Sequence, residues 1–255
     1  MASKNQLKWV RKLHQQKYRQ QEGLFLAEGV KVVDELLRSR LEVVYVFATE
    51  IWIENNPQSN DDVIKVSPKE LETISTLMQP NQVLAVARIP HISDAVGAKK
   101  GWSLLLDKIS DPGNMGTIIR TADWFGFDHI FVAQHSAEIW NPKVIQAAMG
   151  SVFRIPVQVV DNTVKFLESF KERQPVYGML LDGMPIQQVR FAEPGIVIIG
   201  NESKGISPEL YPSISHRITI QGADPKGQGR AESLNASLAT AIVCYEINRQ
   251  VNIGK

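Results

Sequence analysis

The stretch that decides the fold is Gly195-Ile196-Val197-Ile198-Ile199-Gly200-Asn201-Glu202-Ser203-Lys204-Gly205-Ile206. Its run of β-branched residues predicts a strand that is buried on both faces, as in the middle of a parallel sheet. The strand continues directly into a polar loop between Gly200 and Gly205. Ligands of open α/β sheets bind beyond the carboxyl ends of the strands. The loop that carries Glu202 is therefore a candidate binding site.

Length and composition narrow the class of protein. A chain of 255 residues can bury a sizeable core in one or two domains, and its net charge of +1 identifies no partner. The single cysteine, Cys244, excludes an intramolecular disulfide and a multi-cysteine zinc site, and it fits a reducing compartment. No apolar run has the length of a membrane span, and the N-terminus lacks the apolar core of a signal peptide. We therefore expect a soluble, cytoplasmic protein with no membrane partner.

The N-terminal segment is basic. Residues 1–21 contain six Lys or Arg and no acid. Leu7, Val10 and Leu13 keep helical spacing and predict one amphipathic helix over residues 4–20. A solvated helix face explains the charges as well as an RNA-binding surface does. The candidate RNA-binding residues are Lys4, Lys8, Arg11 and Lys12.

Strands and helices alternate regularly after residue 101, which predicts a parallel, doubly wound α/β sheet. The segment from Pro90 to Gly101 breaks the pattern and is the expected boundary between domains 1–95 and 96–255. The first domain is predicted to have strands at 42–48, 62–66 and 82–89 and helices at 30–38 and from Ser67-Pro68 onward. The second is predicted to have strands at 102–107, 129–133, 155–160, 176–181, 195–200 and 217–220, and helices at 114–125, 142–149, 164–172, 208–214 and 232–249.

A second polar loop follows the strand at 102–107. Asp111-Pro112-Gly113 predicts a turn, and Asn114 is the expected N-cap of the next helix. Arg120 lies off the buried stripe of that helix, so its side chain is available to a ligand. An ordinary surface arginine explains the same position.

Three common site motifs do not fit the sequence well. The loop from Gly200 to Gly205 matches G-x-x-x-x-G, but Ile206 stands where a phosphate-binding loop requires lysine. The neighbourhood of Ser203 resembles the nucleophile elbow of hydrolases, but it begins with Asn201, and no histidine follows at a suitable position. No G-x-G-x-x-G follows a strand, which argues against a standard dinucleotide site.

The last helix carries a third polar cluster at its start. Small residues recur at helical spacing and permit close helix packing: Ser233, Ser237, Thr240 and Cys244. Ser233 and Asn235 remain available either to cap the helix or to hold a substrate.

In combination, these segments resemble the three motifs of the SpoU/TrmH family, the RNA ribose 2′-O-methyltransferases of the SPOUT superfamily. The motifs are Asn114-x-Gly116-x-x-x-Arg120, Gly200-Asn201-Glu202-x-x-Gly205 and Ser233-Leu234-Asn235-x-Ser237-x-Ala239. They keep the family's order and spacing across residues 102–249. The first 90 residues are similar to the RNA substrate-binding domain, itself resembling ribosomal proteins, that precedes many such enzymes.

The resemblance implies a deep trefoil knot in the second domain, which general rules of chain connection would not suggest. It also implies that S-adenosyl-L-methionine binds in a bent form against the second and third motif loops, and that the knotted domain forms a homodimer. The residues that would bind the cofactor are Leu181, Asp182, Gly183, Gly200, Asn201, Gly205, Ile220 and Leu234.

The resemblance also implies catalytic roles, for Arg120, Glu202, Asn235, Asn114 and Ser233. Arg120 would either remove the proton of the ribose 2′-hydroxyl or orient an RNA phosphate. Both roles stay open, because a guanidinium with a pKa above ~12 is a poor base. Glu202 and Asn235 would hold the arginine and the ribose. Methyl transfer from a sulfonium requires no metal.

The RNA target is less defined. Ribosomal RNA is preferred over transfer RNA because the N-terminal domain is similar to that of ribosomal-RNA methyltransferases. The alternatives are a transfer-RNA ribose, a base nitrogen as the methyl acceptor, and a non-catalytic RNA-binding module.

Overall fold

The computed structural model describes residues 2–57, 63–91, 101–172, 174–191, 193–223 and 233–252. Contacts divide the chain into two compact units, Met1–His91 with Glu138–Arg154 and Ile92–Ala137 with Ile155–Lys255. Residues 138–154 thus pack with the first unit, whereas the boundary predicted at residues 95 and 96 places them in the second. Most of the predicted boundary segment, residues 92–100, lies outside the described ranges. The division of function at that boundary stays a prediction.

The secondary structure follows the predicted alternation, except that the helix predicted at residues 208–214 is a 3₁₀ helix, Pro208–Ser213. The strands are β1 (Leu24–Glu28), β2 (Val43–Ala48), β3 (Val63–Lys65), β4 (Val83–Arg88), β5 (Ser103–Leu106), β6 (His129–Ala133), β7 (Val157–Val160), β8 (Val176–Pro185), β9 (Ile196–Ile199) and β10 (His216–Thr219). The α-helices are α1 (Lys4–Lys12), α2 (Gln16–Glu22), α3 (Val30–Arg38), α4 (Glu50–Asn55), α5 (Pro68–Ile74), α6 (Pro112–Trp124), α7 (Pro142–Ala148), α8 (Thr163–Lys171) and α9 (Ala236–Asn252). Within the described ranges, no helix has the length and hydropathy needed to cross a bilayer.

The first unit is built on a mixed sheet with the order β1-β4-β2-β3. β4 runs antiparallel to both of its neighbours, and β3 is parallel to β2. Val10 and Leu13 pack into the same apolar cluster as Phe47 and Leu84 of the sheet. The apolar stripe of α1 is therefore part of the core, and its basic face is left in solvent.

The prediction of a single helix over residues 4–20 is wrong, because the helix is interrupted between α1 and α2. At the break, His14 Nε2 donates to the carbonyl of Ile74 across 2.6 Å. Arg19 Nη1 donates to the carbonyls of Leu13 and His14, at 2.8 Å each, and its guanidinium pairs with Glu138. Arg19 is only 1% exposed, so this cation belongs to the core and not to the basic surface.

The second unit contains the predicted parallel sheet, with the order β10-β8-β9-β5-β6-β7. Neighbouring strands are parallel throughout. β9 lies inside the sheet, and each of its residues is buried, as its sequence predicts. The chain extends from β5 towards β6 and β7 on one side, and β9, β8 and β10 lie on the other. The crevice at the carboxyl ends of β5 and β9 is thus the expected ligand site of such a sheet.

Two helix starts differ from the prediction. Asp111, and not Asn114, is the N-cap of α6, because its Oδ1 accepts from the backbone N–H of Asn114 across 2.7 Å and Pro112 fits the first helical turn. α9 begins at Ala236, where the backbone N–H of Ser237 donates to Asn235 Oδ1 across 2.9 Å. The predicted start at residue 232 lies outside the described residues. The implied knot depends on the path of residues 224–232, also outside them, and stays a prediction.

Candidate active site

The first and second motif loops lie side by side because they follow neighbouring strands. Leu106 of β5 is paired in register with Ile199 of β9. Beyond the strands, the backbone N–H of Asp107 donates to the carbonyl of Ile199 across 2.9 Å. The carboxylate of Asp107 accepts from the backbone N–H of Ser207 across 2.6 Å. These bonds hold the start of one loop against the end of the other.

Glu202 lies where the two loops meet. Its Oε1 accepts from Asn114 Nδ2 at 2.8 Å, and its Oε2 accepts from Ser110 Oγ and Asn201 Nδ2, at 3.3 Å each. Partial burial raises the pKa of Glu202, but the bond from Asn114 and backbone N–H donors, including those of Ser110 and Asp111, outweigh it. The pKa of Glu202 therefore lies below its ordinary value, and the carboxylate is charged at neutral pH.

The third motif joins this cluster through Asn235. Its Nδ2 donates to Asn114 Oδ1 across 3.0 Å, while its Oδ1 accepts from the backbone N–H and the hydroxyl of Ser237. Asn114 thus accepts from Asn235 and donates to Glu202 with the two atoms of one amide. A residue from each motif takes part in one hydrogen-bonded chain.

Two of the predicted catalytic residues take no part in this series of hydrogen bonds. Arg120 is exposed, and no hydrogen bond or ion pair joins it to Glu202 or to another described residue. On α6 it lies about 9 Å along the axis and about 240° around from Asn114. Ser233 is also exposed and forms no hydrogen bond within the described ranges. The expected contact between Glu202 and the arginine is therefore not formed.

Two candidate cofactor-binding glycines sit where backbone segments approach closely. A Cβ on Gly200 would lie 2.3 Å from the carbonyl carbon of Gly205 and 2.4 Å from the nitrogen of Ile206. A Cβ on Gly183 would lie 2.5 Å from the carbonyl carbon of Ile218. Gly205 has a φ of +69°, which other residues rarely adopt. The loop from Gly200 to Gly205 closes on itself through paired backbone bonds between Asn201 and Gly205.

The other candidate cofactor-binding residues lie at or near the same edge of the sheet. Leu181 on β8 is 78% exposed, and Leu234, just before α9, is 47% exposed. Ile220 directly follows β10 and is half-buried. Asp182 pairs with Arg217, with both carboxylate oxygens within 2.8 Å of Nη2. Exposed apolar side chains beside polar backbone and a carboxylate suit a ligand that has both apolar and polar parts.

Sequence reasoning missed two residues of the site. Ser110 donates to Glu202, and Lys108 presents its carbonyl to Asn201 Nδ2 at 2.8 Å. Lys108 has a φ of +57°, uncommon for a residue other than glycine. The only indication of their role in the sequence is their position in a polar loop directly after a buried strand.

The predicted RNA-binding residues form one face of α1, in the first unit. Lys4, Lys8, Arg11 and Lys12 are all exposed. Helical geometry places them within an arc of about 100°, and Val10 is buried on the other side. The ammonium of Lys12 also lies 5.4 Å from the centre of the Tyr18 ring.

Comparison with known proteins gives matches over both parts of the chain. Residues 101–245 match the SpoU rRNA methylase family, and residues 4–85 match the MRM3-like substrate-binding domain. The chain is 33% identical over 250 residues to the 23S rRNA (guanosine(2553)-2′-O)-methyltransferase RlmP of Bacillus subtilis, covering 96% of this chain and 97% of the relative.

Solved structures are similar over almost the whole chain. One is from Porphyromonas gingivalis and is described as an RNA methyltransferase of the TrmH family. It has a TM-score of 0.86 at 36% identity, and the match covers 98% of this chain and 99% of the Porphyromonas chain. An AdoMet-bound rRNA methyltransferase from Sinorhizobium meliloti has a TM-score of 0.85 at 28% identity, and the match covers 98% of this chain and 97% of the Sinorhizobium chain.

Proposed function

The chain belongs to the SpoU rRNA methylase family, and from this premise we propose that it methylates a ribose 2′-hydroxyl of ribosomal RNA. It is an RNA 2′-O-methyltransferase that uses S-adenosyl-L-methionine. The observation that carries the proposal is the chain of hydrogen bonds from Asn235 through Asn114 to Glu202, which unites the three motifs beside the carboxyl ends of β5 and β9.

Ribosomal RNA is favoured by the extent of the similarity. The Bacillus relative, named as a 23S rRNA methyltransferase, matches both the methylase region and the N-terminal region at nearly full length. The N-terminal match is to a substrate-binding domain. A transfer-RNA ribose and a base nitrogen are the alternative acceptors. We further propose that it acts on this RNA in the cytoplasm.

The C-terminal half of β8 and the loops after β9 and β10 are proposed to bind the cofactor. Leu181 and Leu234 would cover its apolar parts, and the backbone from Gly200 onward would supply hydrogen bonds. When bound, S-adenosyl-L-methionine supplies the methyl group on a sulfonium. The close backbone approaches at Gly183 and Gly200 support this assignment, because a side chain at either position would push the neighbouring backbone segments apart.

Arg120 is proposed to act on the RNA. Its exposed guanidinium forms no ion pair with the described residues, so it is available to a phosphate. A guanidinium charged at neutral pH orients a phosphate beside the 2′-hydroxyl without having to lose a proton. Proton removal by Arg120 is the alternative role.

Glu202, Asn114 and Asn235 are proposed to hold the reacting ribose and the loops around it. The charged Glu202 accepts bonds from the first motif loop, and Asn235 is fixed by Asn114 and by the start of α9. A fixed constellation of this kind lowers the barrier by keeping the 2′-oxygen in line with the methyl group. Ser233 would contact the ribose or shape the third loop.

The basic face of α1 is proposed to bind RNA phosphates. Four exposed cations lie on one side of the helix, and no ion pair with a described acid neutralises them. Such a face supplies affinity that does not depend on base sequence and that weakens with salt. It would hold the RNA while the second unit reaches the target nucleotide.

The second unit is proposed to form a homodimer through α6 and α9. Leu238, Ile242 and Tyr245 are exposed along one face of α9, and Trp124 at the end of α6 is 83% exposed. The two helices pack together, with the rings of Phe125 and Tyr245 in edge contact. Several exposed apolar side chains on one helix face are typical of an interface.

Methylation of ribosomal RNA with methyl-labelled cofactor tests the function. We expect label in one nucleotide whose 3′ linkage resists alkaline cleavage, because only a 2′-O-methyl group blocks that reaction. Label at an alkali-sensitive site would identify a base as the acceptor. If transfer RNA is labelled and ribosomal RNA is not, transfer RNA is the substrate. Failure to bind the cofactor in calorimetry would favour a non-catalytic RNA-binding module.

A further inference from the structure

The side chain of Asn201 uses its whole hydrogen-bonding capacity within the protein. Its Nδ2 donates to the carbonyl of Lys108 at 2.8 Å and to Glu202 at 3.3 Å. Its Oδ1 accepts from the backbone N–H groups of Ser203 at 3.0 Å and Lys204 at 3.1 Å. An asparagine amide offers two N–H donors and two acceptor positions. None is left for a cofactor, although the resemblance to the SpoU/TrmH family implies that Asn201 binds the cofactor.

These bonds connect the first motif loop to the second. Lys108 is the second residue after β5, and Asn201 is the second residue after β9. The two positions adjoin in the parallel sheet, and the amide of Asn201 bridges them directly above the strand ends. Its other N–H bonds the carboxylate of Glu202, which also accepts from Ser110 and Asn114 of the first loop.

The bridge also supports an unusual backbone conformation. Lys108 adopts a positive φ, which costs energy for a residue with a side chain and persists where neighbours hold it. Its carbonyl is held by Asn201, and its ammonium bonds Ser207 Oγ at 2.9 Å. The left-handed turn at Lys108 directs the chain towards Ser110 and the start of α6. Loss of the Asn201 donor therefore affects the loop that carries the partners of Glu202.

We infer that Asn201 is a positioning residue, which fixes the first motif loop and Glu202 relative to each other and does not bind the cofactor through its side chain. The catalytic consequence rests on the proposed function, whereas the structural consequence does not. Asn201 acts on the reaction only through Lys108 and Glu202.

The variant Asn201→Asp distinguishes the positioning role of Asn201 from the capping of the turn at Ser203 and Lys204. Aspartate keeps the acceptor for the Ser203 and Lys204 N–H groups but removes both donors. We expect kcat for RNA methylation to fall roughly 10- to 100-fold, because small displacements of a catalytic group cost about that much. The calorimetric Kd for S-adenosyl-L-methionine should stay within about threefold of the wild-type value. Asn201→Ser, whose side chain is too short to reach Lys108, should behave in the same way without adding a charge.

A weaker affinity for the cofactor at unchanged kcat would overturn the inference, since it would identify a cofactor contact. Full activity of Asn201→Asp would also overturn it, since only the capping role would remain. Glu209→Gln is the matched control, because Glu209 bonds the ammonium of Lys108 at 3.2 Å on the exposed side of the same loop and does not contact Glu202. It should leave kcat and Kd unchanged.

Hydrogen exchange of the chain alone provides a readout that does not depend on methylation. In Asn201→Asp, the peptides covering residues 107–114 should exchange faster than in the wild type and in Glu209→Gln, with circular dichroism unchanged. Equal exchange in these peptides would contradict the bridge even if activity fell. If the wild type itself fails to methylate RNA, the proposed function is wrong, and the exchange result still decides the role of Asn201.

Discussion

Asn235 donates from Nδ2 to Oδ1 of Asn114 across 3.0 Å, and this bond joins residues 121 positions apart in the chain. One amide group of Asn114 serves both Asn235 and Glu202, which fixes the direction of the chain of bonds. The start of α9 is thereby connected to the first turn of α6 and to the loop after β9. Replacing Asn114 breaks two bonds at once, whereas replacing Asn235 breaks one of them.

Asn114→Ala should raise the pKa of Glu202 towards its ordinary value, because the strongest side-chain donor to the carboxylate is lost. The pKa of Glu202 in the wild type is depressed, so its stabilising contribution is present above the pKa of the unfolded chain and is lost as the pH falls through the folded pKa. The stability difference between wild type and variant should thus be larger at neutral pH than in acid.

Carbon-13 NMR titration of the Glu202 side chain measures this change directly. Asn248→Ala is a suitable control, since Asn248 also bonds across to α6, at the carbonyl of Phe125, but lies far along α9 from the site. An unchanged titration of Glu202 in Asn114→Ala would show that the bond does not govern its charge.

Arg120→Ala should reduce kcat/KM for RNA by about 100-fold or more while leaving the Kd of the cofactor and the melting temperature unchanged. Stability is expected to be insensitive because the side chain is exposed and is joined to no described residue. Steady-state methylation, calorimetry and thermal melts give the three values. Lys165→Ala, at an exposed position of α8, is the control.

Arg120→Lys then distinguishes the two roles of the arginine. If the group orients a phosphate, lysine should retain part of the activity, and the variant should show mainly a higher KM for RNA. If Arg120 removes the proton, lysine should instead alter the pH dependence of kcat. Near-normal methylation by Arg120→Ala would contradict both roles.

Gly200→Ala should destabilise the second unit by about 1–3 kcal/mol and weaken cofactor binding, because the new methyl group would overlap backbone atoms of Gly205 and Ile206. Gly222→Ala is the matched control for stability, since a Cβ there meets no atom of the described residues within 4 Å. Thermal melts should show a loss of stability in Gly200→Ala only, and calorimetry should show weaker cofactor binding by Gly200→Ala than by the wild type. Equal stability of the two variants would mean that the loop after β9 can shift to accommodate the methyl group at little cost in free energy.

The sequence predicted the parallel sheet because local patterns determine it. The β-branched run of β9 and the regular alternation after residue 101 require only the preferences of short segments. Parallel strands also bring their carboxyl ends together, which allowed the first and second motif loops to be expected at one edge. The three motifs were then assigned by family resemblance, which periodicity alone does not provide.

The features that the sequence did not predict depend on contacts between distant residues. The break after α1 is stabilised by Arg19, whose partner Glu138 lies far along the chain. The cap of α6 was assigned to Asn114 because local rules accept either Asn or Asp, and only the structure shows that Asn114 is used by Glu202 and Asn235. The positive φ of Lys108 has no local signal, because lysine rarely adopts it.

Lys8→Ala should weaken RNA binding and reduce the slope of log Kd against log salt by about 0.7 to 0.9, the value for one phosphate contact. The loss should be similar for RNAs of different sequence, since a phosphate contact carries no base information. Lys69→Ala, which removes an exposed lysine from α5 of the same unit, should leave the slope unchanged. Filter binding across a salt series provides the comparison. Equal slopes for Lys8→Ala and the wild type would remove α1 from the RNA-binding surface.

Ile242→Glu should convert the proposed dimer into a folded monomer. Ile242 lies between Leu238 and Tyr245 on the exposed face of α9, so a glutamate there remains solvated in the monomer but is buried without a partner in the dimer. The variant should therefore keep the circular-dichroism spectrum of the wild type, and its melting temperature should not depend on protein concentration.

Sedimentation equilibrium should show the wild type as a dimer and Ile242→Glu as a monomer at the same concentration. Ile51→Glu places the same charge on an exposed isoleucine of α4 in the first unit and should leave the dimer intact. A monomeric wild type would contradict the proposed interface, as would dimers of Ile242→Glu with unchanged affinity. If both variants dissociate, the interface is not confined to α9 and also involves the first unit.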